Sequence, residues 1–153
     1  RIDVQAFDCD YLVCSGYKAF GPHMGFLWGR RELLRRLPTF REDFIADEPP
    51  GKIEAGTLPF ENIAGMEAAV GYLADIGRGC GGTGDCAAGV ALRAEVAAGM
   101  QAILDYEQGL SLELLRVLDA CGATVFGIAD PARLAERVPT FAFNVRGRSP
   151  AAV

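Results

Sequence analysis

The sequence has little of what most metal-binding, nucleic-acid-binding and membrane proteins need. One histidine is present among 153 residues and the net charge is −5, so neither a histidine-rich metal site nor a basic face for nucleic acid or anionic lipid is expected. No apolar run is longer than a buried element, which predicts no membrane span. The five cysteines are odd in number and irregularly spaced, so we expect reduced thiols and a cytoplasmic location rather than a disulfide framework.

Residues 78–86 form a glycine-rich segment, Arg-Gly-Cys-Gly-Gly-Thr-Gly-Asp-Cys. It lacks the Gly-Lys-Ser/Thr ending of a P-loop and does not follow a strand as a dinucleotide fingerprint would. Cys80 and Cys86 are too few and too far apart for half of a zinc site, and His23 cannot complete one. We interpret the segment as a flexible surface loop.

The two ends of the sequence lack the patterns of a chain start and a chain stop. Arg1 leads into an apolar segment without an entry turn, and Ser149 followed by Pro150 has the pattern of a helix N-cap and a first helical residue. We therefore expect the chain to be an internal fragment of a longer polypeptide.

Hydrophobic periodicity and turn residues predict alternating strands and helices, which indicates an α/β fold. The predicted strands are at 11–14, 26–28, 124–127 and 140–145, and the predicted helices at 30–37, 62–76, 87–121 and 131–137. A loop at 39–51 is rich in acidic residues and closes on Pro49, Pro50 and Gly51. The longest helix is expected to bend or break near Gly109, and Gly122 is expected to cap it.

Large apolar side chains at helical spacing predict which faces of the two longest helices are packed. In the helix at 62–76 these are Ile63, Met66, Val70 and Leu73. In the helix at 87–121 they are Leu92, Val96, Met100, Ile103, Leu110, Leu114 and Leu118.

The segment around Lys18 carries the chemistry of this sequence. Lys18 follows an apolar strand that is expected to be buried, with the Ser15 hydroxyl three residues before it and a Gly-Pro turn after it. A lysine amine becomes a nucleophile towards carbonyl compounds when its surroundings disfavour the ammonium, and hydroxyls such as those of Ser15 and Tyr17 bind phosphate. Two other interpretations stay open: a surface lysine in a loop between strands, and a Ser-x-x-Lys acyl-transfer pair.

A second candidate for anion binding is the pair Gly56 and Thr57. A glycine and a threonine in a turn before a helix can offer a backbone amide and a hydroxyl to an anion. Ordinary turns use the same residues, so the pair alone indicates little.

The string 8–25, Asp-Cys-Asp-Tyr-Leu-Val-Cys-Ser-Gly-Tyr-Lys-Ala-Phe-Gly-Pro-His-Met-Gly, followed by Gly-Arg-Arg-Glu-Leu-Leu at 29–34, resembles the lysine segment of class V aminotransferase-like enzymes. These depend on pyridoxal 5'-phosphate (PLP), and the similarity is greatest to the cysteine desulfurase and selenocysteine lyase branch. The resemblance implies that Lys18 carries the internal aldimine and that Ser15 and Tyr17 hold the cofactor phosphate. At the position of Tyr17 the family usually has histidine, whereas some kynureninase-like relatives have tyrosine, as this sequence does.

The resemblance also covers residues 54–57, Glu-Ala-Gly-Thr, which match the family's Glu-x-Gly-Thr turn. It implies a homodimer in which Thr57 reaches the phosphate of the neighbouring subunit's cofactor. It further implies a fold-type I architecture, with a mostly parallel sheet and flanking helices in a large domain. On this basis we expect residues 1–86 to be the second half of the PLP-binding domain, 87–121 a connecting helix, and 122–153 the start of a small α+β domain.

By the same resemblance, several parts of such an enzyme lie outside this chain. These are the aspartate that pairs with the pyridine nitrogen, the ring-stacking residue, the glycine-rich phosphate turn, the catalytic cysteine and the arginine for the substrate carboxylate. None of the five cysteines matches the catalytic one, and the fragment alone is expected to be inactive. The expected function is a cysteine desulfurase-like or selenocysteine lyase-like reaction on an amino acid; transamination, epimerisation, kynureninase-type cleavage and a non-catalytic scaffold stay open.

Overall fold

The computed structural model describes residues 2–54, 56–80 and 88–153. These residues form two compact units, Arg1–Tyr72 and Leu73–Val153. The boundary between these units falls inside a helix. The sequence instead predicts domain boundaries after residues 86 and 121, and those boundaries stay a prediction. Within the described residues, no helix combines the length and the apolar character needed to cross a lipid bilayer.

The first unit contains a β-hairpin whose strands are β1, Tyr11–Ser15, and β2, Gly25–Gly29. They pair antiparallel, with Tyr11 opposite Gly29 and Ser15 opposite Gly25. The hairpin confirms both predicted strands. The prediction that β1 is buried is wrong, because Val13 is 75% exposed in the described structure.

The strand β2 ends at a glycine for a steric reason. A Cβ atom at Gly29 would lie 2.8 Å from Leu34 Cδ2 and 3.0 Å from Tyr11 Cδ1, closer than side-chain carbons pack. The chain then turns into helix α1, Arg31–Arg36, and Pro38 follows the end of the helix. No regular element is assigned at 39–51, as predicted for this loop.

Two further helices make up most of the remaining chain. Helix α2 spans Phe60–Gly79 and helix α3 spans Ala88–Ala120. The predicted break near Gly109 is wrong, because α3 is continuous there. Gly109 is exposed, so the helix can accommodate it at a modest cost in propensity. The predicted cap is correct: Gly122 has φ +63°, and the amide of Ala123 donates to the Leu118 carbonyl at 2.9 Å.

The second unit ends in a small hairpin packed beside the end of α3. Strand β3, Thr124–Phe126, pairs antiparallel with β4, Ala142–Asn144. Between them lies a 3-10 helix at Pro131–Glu136, whose first turn is capped by the Asp130 carboxylate accepting from the Ala132 amide at 2.9 Å. Both sheets of the described residues are therefore antiparallel pairs, whereas the resemblance implies a mostly parallel sheet.

Small residues, rather than the predicted stripes of large ones, form the contact between α2 and α3 in the second unit. Gly77 and Gly99 are buried. A Cβ atom at Gly77 would overlap the Glu95 carbonyl oxygen, and one at Gly99 would overlap the Leu73 carbonyl oxygen. The two backbones therefore approach more closely than any side chain would allow.

The predicted packed faces are accordingly only partly correct. Among the described residues, the buried hydrophobic side chains of the core are Ala69, Leu73, Ala74, Leu115 and Leu118. Six residues predicted to pack are exposed within the described structure: Ile63 and Val70 of α2, and Leu92, Met100, Leu110 and Leu114 of α3.

Candidate functional site

Lys18 lies in the loop that joins the two strands of the first hairpin, and residues 16–24 are called the Lys18 loop below. The loop closes where the amide of Gly16 donates to the Met24 carbonyl at 2.7 Å. Gly16–Ala19 form a short 3-10 helix that holds Lys18 in its last turn. The Lys18 side chain is exposed, although the sequence predicts that it follows a buried strand.

Two residues predicted to supply hydroxyls, Ser15 and Tyr17, precede this lysine in the chain. The Lys18 Nζ lies 5.9 Å from the centre of the Tyr17 ring, at the outer limit of a cation–π contact. Ser15 is half-buried at the end of β1, and its side chain does not cap the 3-10 helix. An amine, a phenol and an uncommitted cap hydroxyl thus come from four consecutive residues. This is the donor set that an aldehyde carrying a phosphate requires.

Helix α2 fixes the Lys18 loop from one side. The Met66 sulfur lies where a Cβ atom of Gly16 or of Gly21 would be, 2.6 Å from the Gly16 position. The Pro22 ring is 3.1 Å from the Cβ position of Gly65, and the Asn62 side-chain amide donates to the His23 carbonyl at 3.3 Å. Asn62, Gly65 and Met66 share one face of the helix because their spacing is three and four residues.

The turn after Lys18 has an unusual backbone. Phe20 adopts φ +62°, a left-handed conformation that costs a residue with a Cβ atom about 1 kcal/mol or more. Its amide and that of Gly21 both donate to the Gly16 carbonyl, and its ring lies 6.2 Å from the Tyr72 ring of α2. These contacts hold Phe20 in the conformation that reverses the chain behind the lysine.

Sequence reasoning missed the residues that support the lysine from elsewhere. His23 was considered only as a zinc ligand, yet its ring stacks on Tyr17 with centroids 5.0 Å apart and planes 26° apart. Met66 was predicted to pack, but not against this loop. The spacing of Asn62, Gly65 and Met66 on one helical face was the available indication of their shared surface.

Thr57, the fourth predicted site residue, lies in the turn before α2. Gly56 has φ +87°, which favours glycine, and both residues are exposed. The turn geometry is therefore as predicted. The contact of Thr57 with a neighbouring subunit's cofactor stays a prediction.

The second lysine of the chain is in a very different environment. Lys52 is 2% exposed, and its Nζ donates to the Arg35 carbonyl at 2.8 Å and pairs with Asp47 Oδ1 at 2.7 Å. The carbonyl belongs to the last turn of α1, where such groups lack a partner within the helix. The hydrogen bond from Lys52 lowers the pKa of Asp47. Lys52 is thus a structural lysine, and the exposed amine is that of Lys18.

A carboxylate beside this pair binds the loop at 39–51 to α1. Glu48 accepts from Arg35 at 2.7 Å and also pairs with Arg31. The hydrogen bonds from Arg35 and Arg31 lower the pKa of Glu48 to about 2. Asp47 and Glu48 of this loop are therefore structural carboxylates, which pair with basic side chains.

The glycine-rich segment gives no further candidate. Residues 81–87, including Cys86, lie outside the described residues, so the interpretation as a flexible loop stays a prediction. Cys80 is exposed with a free thiol. Among the residues that the structure describes, no group of three or more histidine, cysteine, aspartate or glutamate side chains could hold a metal ion.

Comparison with known proteins relates this loop to a family. The model for aminotransferase class-V matches residues 1–79. A probable cysteine desulfurase of Synechocystis is 40% identical over 88 residues, which is 50% of this chain and 21% of that protein. A cysteine desulfurase of Serratia proteamaculans is 31% identical over 159 residues, which is 95% of this chain and 32% of that protein. The chain thus spans about a third or less of the curated relatives it matches.

Proposed function

Because the chain belongs to the aminotransferase class-V family, we propose that it supplies the lysine and phosphate-binding residues of a PLP-dependent enzyme that acts on an amino acid. The family match confirms the resemblance recognised in the sequence. The relatives named as cysteine desulfurases favour a reaction of that kind. The geometry of the Lys18 loop supports the roles that we propose for single residues.

The observation that supports Lys18 is the contrast between the two lysines of the sequence. The Lys52 amine is buried and donates to Asp47 and to the Arg35 carbonyl, so a carbonyl compound can neither reach it nor find its nitrogen lone pair. Lys18 is exposed, and hydroxyls precede it at Ser15 and Tyr17. The residues present therefore fit PLP: an amine for its aldehyde and hydroxyl donors for its phosphate.

In this proposal, the side chains of the Lys18 loop have separate tasks. When bound, PLP supplies the electron sink that stabilises a carbanion at the substrate α-carbon. The Lys18 Nζ would hold the cofactor through its aldehyde group and would take or return the proton at the substrate α-carbon. Ser15 and Tyr17 bind and orient the phosphate, and the left-handed Phe20 fixes the direction of the loop.

We further propose a homodimer in which Thr57 completes the phosphate site of the neighbouring subunit. The exposure of Thr57, on a turn whose glycine leaves its surroundings open, supports such a contact. A cytoplasmic location is part of the same proposal, because the four described cysteines are free thiols.

A second candidate is another reaction of the same superfamily. Tyr17 stands where desulfurase-like relatives usually have histidine, and a phenol, whose ordinary pKa lies well above neutral pH, is less suited to acid–base chemistry at that pH than an imidazole. Transamination, epimerisation or kynureninase-type cleavage would keep every role assigned to Lys18. Release of sulfide from cysteine, measured beside formation of keto acid from other amino acids, separates the two candidates.

The experiment that tests the role of Lys18 is chemical trapping in the protein at its full natural length. Borohydride reduction after incubation with PLP fixes the cofactor to the amine that holds it, and peptide mapping by mass spectrometry locates it. We expect the adduct on Lys18, none on Lys52, and none in Lys18→Arg. Lys52 serves as the internal control because it experiences the same reagent in the same molecule.

A further comparison tests whether the phosphate is bound. Pyridoxal, which lacks the phosphate, should label Lys18 about tenfold less well than PLP at equal concentration, since charge-assisted hydrogen bonds to hydroxyls are lost. Ser15→Ala and Tyr17→Phe should reduce the difference in labelling between PLP and pyridoxal, because each removes a hydroxyl that is proposed to bind the phosphate. Equal labelling by the two aldehydes would mean that Lys18 is an ordinary exposed amine, and the proposal would be wrong.

A further inference from the structure

The one histidine of the sequence is stacked on the tyrosine that precedes Lys18. The ring centroids of His23 and Tyr17 are 5.0 Å apart and the planes are inclined by 26°, an offset stack of the kind that aromatic pairs favour. The Lys18 Nζ is 5.9 Å from the centre of the same tyrosine ring. Tyr17 therefore has an imidazole and an ammonium as its neighbours, both from the loop that carries it.

The backbone of His23 is held on both sides, which fixes the position from which its ring reaches Tyr17. The Asn62 side-chain amide donates to the His23 carbonyl at 3.3 Å. On one side, the Pro22 ring packs on Gly65; on the other, the Met24 carbonyl accepts from the Gly16 amide at 2.7 Å. The imidazole thus restricts the orientations of the half-exposed Tyr17 ring without being part of a buried core.

We propose that His23 is a positioning residue, which holds the Tyr17 phenol beside the Lys18 amine before a ligand arrives. This inference rests on the proposed function, because it assumes that the phenol binds the cofactor phosphate. A side chain that is ordered in advance loses less conformational entropy on binding, so the stack raises affinity without touching the ligand. Stacking energies of aromatic pairs correspond to an effect of about two- to tenfold on the affinity for PLP.

Two variants of similar size distinguish positioning from direct contact. His23→Phe keeps an aromatic face on Tyr17 but has no ring nitrogen, whereas His23→Leu removes the face. We expect His23→Leu to weaken equilibrium binding of PLP by about two- to tenfold, and His23→Phe to keep the affinity of the unsubstituted protein. If His23→Phe binds as weakly as His23→Leu, a nitrogen of the imidazole contacts the ligand and the inference is overturned.

The ligand-free protein gives a second readout that does not depend on PLP. The ring protons of Tyr17, assigned by NMR, should show a ring-current shift that is kept in His23→Phe and lost in His23→Leu. Tyr72→Leu is the matched control, because it removes the other aromatic pair at this loop, that of Phe20 and Tyr72, and should leave the Tyr17 signals unchanged. Unchanged Tyr17 shifts in His23→Leu would overturn the inference.

The two readouts also separate this inference from the proposed function. If the unsubstituted protein does not bind PLP while its Tyr17 signals respond to His23 as expected, the proposed function fails and so does the assigned purpose of the stack. If PLP binds to Lys18 but neither variant of His23 changes the affinity, the proposed function stands and the positioning role is wrong.

Discussion

Alanine at the helix contact should destabilise the second unit, although alanine is the better helix former. A methyl group at Gly99 would overlap the Leu73 carbonyl oxygen and lie 3.2 Å from the Gly77 amide nitrogen. One at Gly77 would overlap the Glu95 carbonyl oxygen and lie 2.9 Å from the Gly99 nitrogen. These obstructing atoms are backbone atoms, which cannot rotate away as the end of a side chain can. The helices must therefore move apart or deform.

The expected magnitude is the difference between two terms. Overpacking in a close contact costs about 1–3 kcal/mol, and replacing glycine by alanine in a helix interior gains about 0.5–1 kcal/mol. Gly99→Ala and Gly77→Ala should therefore lower the free energy of unfolding by up to about 2.5 kcal/mol, with a midpoint of about 1 kcal/mol. At this chain length a loss of about 1 kcal/mol corresponds to a decrease of about 2–4 °C in Tm.

The same helices offer matched controls. Gly71 of α2 and Gly109 of α3 have nothing within 4 Å of the Cβ position. Gly71→Ala and Gly109→Ala should therefore raise the free energy of unfolding by about 0.5–1 kcal/mol. Urea unfolding followed by far-ultraviolet circular dichroism measures all four variants. If Gly99→Ala proves as stable as Gly109→Ala, the close approach of the two backbones does not exist.

Three further substitutions test the charged contacts. Glu48→Gln should lower the urea midpoint at pH 7, because the carboxylate that pairs with Arg35 and Arg31 is lost. These arginines depress the Glu48 pKa from 4.5 to about 2, so the difference from the unsubstituted protein should shrink as the pH falls through that interval, and an undiminished difference at pH 2 would contradict this. Arg137→Lys should lower the free energy of unfolding by about 1–2 kcal/mol. The Arg137 guanidinium donates to the carbonyls of Ile128, Val138 and Thr140, the last at 2.7 Å, and lies 3.7 Å from the Phe141 ring centre. A change of less than about 0.5 kcal/mol in thermal unfolding would refute this prediction. Lys52→Met should lower the free energy of unfolding in urea by about 1–3 kcal/mol, because the Arg35 carbonyl loses its hydrogen-bond donor. Unchanged stability would show that water replaces the ammonium as the donor.

The local elements were predictable because their determinants are contiguous in sequence. Gly29 ends β2, Pro38 follows α1, and Gly122 caps α3 with a left-handed φ of +63°. Each of these residues sets the conformations open to the backbone at its own position, because glycine admits a positive φ and proline fixes φ, whatever the rest of the chain does. The turn at Gly56 and Thr57 was predictable for the same reason.

The packed faces of α2 and α3 were not predictable from large apolar residues. Periodicity points to the side on which leucine and valine recur, but Val70, Leu92 and Leu110 are exposed within the described structure. The contact between the helices instead uses Gly77 and Gly99, where the absence of a side chain is what matters. A pattern that scores hydrophobicity gives glycine no weight, so it cannot find a contact between backbones.

The candidate site divides in the same way. Ser15, Tyr17 and Lys18 are neighbours in sequence, so their association follows from the motif alone. Asn62 and Met66 contact the loop from a distant part of the sequence, with 39 residues between the positions of His23 and Asn62, and only the folded structure shows that this face of α2 lies against the Lys18 loop. The stack of His23 on Tyr17 requires the loop to fold back across six residues, which no periodicity encodes.

The two lysines show what the fold adds to the motif. From the sequence, Lys18 follows a strand expected in the core, yet Lys18 is exposed, whereas Lys52, which directly follows the acidic loop at 39–51, is buried. Lys52 can be buried because Asp47 and the Arg35 carbonyl replace the water that its ammonium loses. Those same partners occupy its nitrogen, so burial and reactivity exclude each other at this position. A lysine that must receive an aldehyde needs an open approach and partners for the phosphate rather than for its own nitrogen, and the role proposed for Lys18 depends on its exposure and on the neighbouring hydroxyls of Ser15 and Tyr17.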